Sequence, residues 1–211
     1  MNDSYLRIKE RAEEETVIEK SRFIAYAAKT ETEEQARDFI SEIKKLHPFA
    51  THNCFAFVAE NGAVKRFSDD GEPQGTAGQP MLEVLESKGL SDTCVVVTRY
   101  FGGIKLGAGG LVRAYSGATA KVLCAAGAEE VVLSTVFSLV LSYDAYPAFV
   151  KFSSGQKCAI EKTDFSDSVN VTLSVPKKTA EDFKSKFIDL TLGKAAINAV
   201  GDKFSVYGVE K

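Results

Sequence analysis

The sequence predicts an α+β protein of two domains, residues 1–133 and 134–211. Three observations carry that expectation. Segments of period-two and period-3.6 hydrophobicity alternate along the chain without internal repeats or low-complexity tracts. With 211 residues, 45% hydrophobic and 26% charged, the chain can fill one large core or two small ones. From Ser134 onward the elements follow the order βαββαβ over about 75 residues, the ferredoxin-like arrangement. The first domain is expected to hold a four- or five-stranded mixed sheet with its helices on one face.

Residues 1–15 are charged and weakly patterned and read as a lead-in. Thr16–Ile18 and Phe23–Ala28 read as strands around the polar break Glu19-Lys20-Ser21-Arg22. Thr32-Glu33-Glu34-Gln35 forms a capping box, and Ala36, Phe39, Ile40, Ile43 and Leu46 follow with helical spacing until His47-Pro48. Cys54–Ala59 and Ala63–Phe67 flank the hairpin signal Asn61-Gly62. Ser68 to Gly78 is a loop, and a short helix starts at Pro80 and stops at Gly89. Cys94–Tyr100 is a β-branched run suited to the centre of a sheet. The glycine loop Gly102–Gly110 leads into a helix that buries Leu111, Val112, Tyr115, Ala118, Val122 and Leu123 and ends near Gly127. In the second domain Val136–Tyr143 is a strand, and Pro147, Phe149, Val150 and Phe152 mark a helix closed by Gly155. Lys157–Lys162 and Ser168–Val175 are strands, Thr179 caps a helix bearing Ala180, Phe183 and Phe187, and Phe204–Val209 is the last strand.

Charge is distributed unevenly. The net charge is −3, so any attraction to a polyanion must be local. Between Thr93 and Ala128 there is no acidic residue, yet the stretch holds Arg99, Lys105, Arg113, Lys121 and six glycines from Gly102 to Gly117. All seven arginines lie at or before Arg113. Arginine pairs with phosphate bidentately, which puts the expected binding surface in the first two-thirds of the chain. The four cysteines have no metal-ligand spacing and read as reduced core residues. The polar N-terminus has no apolar signal core, and no apolar run reaches the roughly 18 residues that span a bilayer. A cytoplasmic protein without membrane contact is expected.

Two constellations carry chemistry. A strand, a glycine loop and a helix start present backbone N–H groups and fixed positive charge, which suits a phosphate. Lys105, Gly107, Gly109, Gly110 and Arg113 lie on or just after the loop, Arg99 precedes it, and Lys20, Arg22 and Arg66 are basic residues near strand ends. A tight turn whose glycines serve packing is the alternative; the absence of acid favours the anion site. The loop is neither a Walker loop nor a dinucleotide fingerprint, since the required acid is Glu129 at best and no Rossmann repeat follows. Asp69-Asp70-Gly71-Glu72-Pro73, followed by Gly75-Thr76-Ala77-Gly78, puts three carboxylates within four residues. They suit a metal, acid–base work, an ordinary turn or an internal salt-bridged latch, and residue chemistry alone favours the turn. His47 suits a helix end, and His52 lacks a recognisable nucleophile to serve.

The stretches KSRFIAYAA (20–28), HNCFAFV (52–58), FSDDGEPQGTAGQPML (67–82) and VVVTRYFGGIKLGAGGLVRAYSGA (95–118) resemble the IMPACT/YigZ family, in its bacterial two-domain form. The resemblance implies an N-terminal domain similar to the second domain of a small-subunit ribosomal protein. It also implies a C-terminal domain similar to domain V of elongation factor G. It singles out the motif loop Asp70, Gly71, Glu72, Pro73, Gly75, Thr76 and Gly78, together with Arg99 and the glycine loop, and assigns a reaction to none of them. Eukaryotic members act in translational control through a protein partner, and bacterial members look translation-associated or nucleic-acid-binding. The expected function is therefore a regulator of translation that binds RNA or the ribosome through a basic glycine-rich groove, with no cofactor, no metal and no catalytic residue. A protein-interaction module in translational stress control and a phosphate-dependent enzyme using the Asp-Gly-Glu-Pro loop are the alternatives.

Overall fold

A computed structural model of the chain describes residues 3–208. These divide into two compact units, one of residues 5–129 and one of residues 130–208 with 3–4. The α+β class expected from the sequence is what forms.

The first unit contains most of β1 (Ser4–Ile8), with β2 (Ala12–Ile18), β3 (Ser21–Lys29), α1 (Glu33–Leu46), β4 (His52–Ala59), β5 (Val64–Ser68), α2 (Gly78–Ser87), β6 (Thr93–Tyr100) and α3 (Gly107–Ala126). Its sheet runs β2-β3-β6-β4-β5, and all four pairings are antiparallel rather than mixed. The helices cover both faces, not one. Ala36, Phe39, Ile40 and Ile43 of α1 pack on Ile24, Tyr26, Phe57, Cys94 and Val96. Met81 and Leu85 of α2 and Leu111, Tyr115, Ala118 and Val122 of α3 pack on Phe23, Ala25, Ala27, Val95 and Val97. The reason lies in β6: a strand apolar at successive positions sends Cys94 and Val96 to one face and Val95 and Val97 to the other, so both need cover.

Over its described residues, 3–15, the charged lead-in is ordered. Ile8 of β1 is fully buried, and β2 is an edge strand whose Glu13 and Glu15 point to solvent. Its acidic alternation hides it from a hydrophobicity reading while protecting a free edge. The β4–β5 hairpin forms, but its connection is a single turn over Glu60–Gly62 with Glu60 and Asn61 both at positive φ, not a two-residue loop. Among the cysteines, Cys54 and Cys94 are buried and Cys124 is exposed, so the core assignment fails for Cys124.

The second unit contains β7 (Ala128–Leu141), α4 (Tyr146–Ser154), β8 (Ala159–Phe165), β9 (Val169–Pro176), α5 (Ala180–Leu190) and β10 (Ala196–Gly208). β7 lies between β9 and β10, and β8 flanks β9, which is the ferredoxin-like strand order. Phe149 of α4 and Phe183 and Phe187 of α5 fill its core against Phe137, Leu139, Val171 and Leu173. β7 and β10 are longer than the sequence suggests, and Val209 lies outside the described residues.

Candidate functional site

The row Phe23–Arg99–His52 crosses three adjacent strands, β3, β6 and β4, near one end of the sheet. Pleating puts Arg99 on the same face as Val95 and Val97, toward α3. Its side chain is 6% exposed, and its guanidinium lies 5.3 Å from the Phe23 ring centre and 5.4 Å from that of Phe101. Nη1 donates to Glu72 Oε1 at 2.6 Å. The Tyr115 hydroxyl of α3 donates to the same oxygen at 2.8 Å. Burial is the main reason the Tyr115 hydroxyl is held far above the ordinary tyrosine range. Arg99 Nη2 reaches Ser21 Oγ at 3.4 Å, and Arg99 Nε is buried without a hydrogen-bond partner.

The three carboxylates of the Asp-Asp-Gly-Glu loop go to three different tasks. Asp69 accepts from the backbone N–H groups of Gly75, Ala77 and Gly78 at 2.8–3.0 Å, closing the loop and satisfying the start of α2, which has no cap of its own. Asp70, at φ 44°, accepts from the Asn53 backbone N–H and from Lys44 Nζ. Glu72 turns inward to Arg99 and Tyr115. Gly71 takes φ +90°, and a Cβ on Gly78 would stand 2.7 Å from the backbone of Ser68. Thr76 Oγ1 donates to the Pro73 carbonyl. The loop is thus a latch, pinned from within and clamped across β4, β6 and α3.

The Cys54 thiol near the latch is ill suited to nucleophilic chemistry. Burial pushes the Cys54 thiol up to about 12, and it donates to the Asp69 carbonyl. His52 Nδ1 donates to the Asp70 carbonyl at 2.8 Å, which leaves Nε2 facing Glu72 Oε2 at 3.8 Å. Among the described residues no group of three ligating side chains is arranged to hold a metal ion.

The cations predicted as one patch occupy separate places. Lys105, Gly110 and Arg113 line a groove of about 400 Å³ together with Ile18, Glu19 and Ile104. Lys20 sits in the β2–β3 turn beside Glu19, and its carbonyl abuts Gly102. Gly107 takes φ +70° where α3 begins, and Gly109 faces open space. The 20-residue α3 has no side-chain cap and no acid in its first turn, so its leading N–H groups lack side-chain partners. Arg22 faces the other way: it pairs with Tyr100 in register, lies over its ring and is held bidentately by Glu15. Arg66 is farther still, on edge strand β5 beside α1. The β3 strand does neighbour the Arg99 strand, but alternation sends Arg22 and Arg99 to opposite faces.

His47, at the C-terminal end of α1, lies between two hydroxyls, with Tyr26 Oη 2.7 Å from Nε2 and Tyr100 Oη 2.9 Å from Nδ1. Burial lowers its pKa from 6.5, Arg22 adds to the shift and Glu13 opposes it. The unfolded chain therefore takes up this proton before the folded protein does. His47 contributes stability in full above pH 6.5, and the contribution is lost as pH falls through the lower folded value. Urea midpoints measured from pH 7 to 5 are expected to fall more steeply for the wild type than for His47→Gln; parallel curves would refute the assignment.

The chain matches the Impact N-terminal domain model over residues 19–123, which include the latch, β6 and most of α3. It is 43% identical over 198 residues to the IMPACT family member YvyE of Bacillus subtilis, covering 93% of this chain and 91% of that protein. It is 34% identical over 186 residues to the IMPACT family member YigZ of Escherichia coli, covering 87% and 91%. A solved structure titled "Crystal structure of an hypothetical protein" superposes with a TM-score of 0.62 at 32% identity, over 95% of this chain and 98% of that one.

Proposed function

The chain belongs to the IMPACT family, and from that premise we propose that it is a non-enzymatic, translation-associated protein that binds RNA, free or on the ribosome, at the start of α3. The observation that carries this reading is the uncapped, acid-free first turn of α3 opening onto a groove lined by Lys105 and Arg113. Backbone N–H groups at a helix start and two flexible cations are what a phosphodiester oxygen requires. Lys20 on the adjacent turn supplies a third cation, and Glu19 in the same lining keeps the site from being uniformly positive. In this reading Arg99 is scaffold. Its charge is committed to Glu72, and its role is to hold the latch and the β6 end that leads into the glycine loop. A phosphate-dependent enzyme built on the Asp-Gly-Glu-Pro loop has less support, because each carboxylate there already serves a protein donor.

Three cations against single-stranded RNA give an expected slope of about −2 for log affinity against log salt. Lys105→Ala and Arg113→Ala are each expected to weaken binding several-fold irrespective of base sequence, and to make the slope shallower by about 0.7. Fluorescence anisotropy over a salt series checks this. No association at low salt, or variants that bind like the wild type, would reject the reading. Capture of a protein in a nuclease-resistant complex that Lys105→Ala does not disturb would favour the protein-interaction alternative.

A further inference from the structure

The face of the sheet opposite the glycine loop carries a second feature with its own chemistry. α1 and the β4–β5 hairpin enclose an open groove of about 660 Å³. Its floor is aromatic: Phe55 is half-buried and stacks on the fully buried Phe57, with ring centres 6.3 Å apart and planes 16° from parallel. Ile40 and Pro48 complete the apolar surface, and Phe67, 46% exposed, lines the same groove. Its rim is cationic, formed by Arg37, Lys44 and Lys45 from α1 and Arg66 from β5. Among the described residues no acidic side chain lines it.

The arrangement follows from two periodicities. Arg37, Ser41, Lys44 and Lys45 recur at three- and four-residue spacing along one side of α1, next to the stripe that buries Phe39 and Ile43. On the sheet, Phe57 is directly opposite Arg66, so ring and guanidinium share a face. Two carboxylates act on the rim from outside: Glu33 holds Arg37 at 2.5 Å and meets Arg66 at 3.8 Å, and Asp70 holds Lys44 at 2.8 Å. Lys45 has no partner among the described residues. Exposed ion pairs contribute little, so a phosphate can displace them, and four cations against two acids leave the rim net positive.

We propose that this groove is a base-stacking platform for single-stranded RNA, in which an unpaired base lies on Phe55 and the flanking phosphates meet Lys45, Lys44 and Arg66. The inference rests on the RNA-binding reading above and adds a second contact surface to it. A flat ring ringed by cations is the combination that holds a single strand without reading its sequence. An acidic peptide laid along the free edge of β5 is the competing occupant. It would use the cations and the edge but would gain nothing specific from an aromatic ring rather than an aliphatic floor.

The test uses the full-length protein, a labelled oligouridylate of about ten nucleotides, an abasic sugar-phosphate strand of the same length and a polyglutamate peptide. Phe55→Leu keeps the groove apolar and removes the ring. It is expected to weaken oligouridylate binding roughly ten-fold and to leave the abasic strand unaffected, whereas Lys45→Ala weakens both. Photocrosslinking of a thiouridine-substituted strand to the wild type is expected to label residues 55–67, which gives a result even if a variant is unstable. Phe55→Leu binding oligouridylate like the wild type while Lys105→Ala weakens it overturns the platform and leaves the α3 site standing. Loss on Phe55→Leu with none on Lys105→Ala keeps the platform and rejects the α3 site. Crosslinks that spare residues 55–67, equal loss of abasic and base-bearing strands on Phe55→Leu, or tight polyglutamate binding indifferent to the ring each overturn the platform.

Discussion

Glu72→Ala is expected to destabilise the protein by about 3–5 kcal/mol, the range for removing one member of a buried ion pair. The substitution strands two buried donors. Arg99 is 5% exposed, and its Nε already lacks a partner. Without Glu72, Nη1 loses its 2.6 Å bond, and the Tyr115 hydroxyl loses its 2.8 Å acceptor. An unpaired guanidinium would remain between Phe23, Phe101 and Tyr115. The double variant Glu72→Leu with Arg99→Met is expected to recover much of the loss, because exchanging a whole buried pair for apolar groups of similar volume is often near neutral. Urea denaturation of both singles and the double yields the coupling energy. A Glu72→Ala protein within about 1 kcal/mol of the wild type would show that the pair does not organise this end of the sheet. The same variants separate scaffold from binding site. If Arg99→Met melts early but its residual folded population binds RNA with an unchanged salt slope, the guanidinium contacts no phosphate. An undiminished melting temperature with a shallower slope would return Arg99 to the binding surface.

What the sequence discloses here is local. The capping box at α1 forms nearly as written: Thr32 Oγ1 accepts from the Gln35 N–H, and the Gln35 side chain reaches back to the N–H of Glu31, one residue beyond the cap. The apolar run of β6 correctly marks a central strand. Family membership is legible from four uninterrupted motifs, because long exact strings do not depend on knowing which residues touch. The candidate site is less legible because its geometry depends on pairings across the chain. Glu72 and Arg99 are 27 positions apart, and spacing alone does not tell an outward arginine from one facing the α3 side. Arg22 and Phe23 illustrate the same ambiguity, since a one-residue offset decides which of them lies over the core. Acid was the misleading signal at the N-terminal end: Glu13, Glu14 and Glu15 make β2 look like a tail, while the period-two pattern that makes it a strand is carried by half-buried positions. The groove between α1 and β5 escaped because its cations come from a helix and a strand that sequence treats separately, although the spacing of Arg37, Ser41, Lys44 and Lys45 was there to be read.

Gly102→Ala is expected to cost about 3 kcal/mol or more, at or above the usual range for overpacking. A methyl group there would lie 2.0 Å from the carbonyl carbon of Lys20, 2.2 Å from its oxygen and 2.4 Å from the Ser21 nitrogen. These are backbone atoms, so no rotamer change relieves the clash. The turn they belong to is already constrained, with Glu19 at φ 46° and Lys20 at φ 63°. Moving it away would also break the 3.1 Å bond from the Gly102 N–H to Ser21 Oγ and withdraw that oxygen from Arg99. The damage therefore reaches the latch, and Gly102→Ala and Glu72→Ala should be less than additive. The other loop glycines rank lower for stated reasons. Gly103 has φ +85°, and a methyl group on it would meet no heavy atom within 4 Å, so alanine there costs about 1–2 kcal/mol of backbone strain alone. Gly109 is helical, lacks a positive φ and faces open space, so alanine is expected to stabilise by up to about 1 kcal/mol. Melting curves of the three variants test the order Gly102, Gly103, Gly109 from worst to best. If Gly103→Ala were the most damaging, conformational freedom rather than close approach to the β2–β3 turn would explain why this loop is built from glycine.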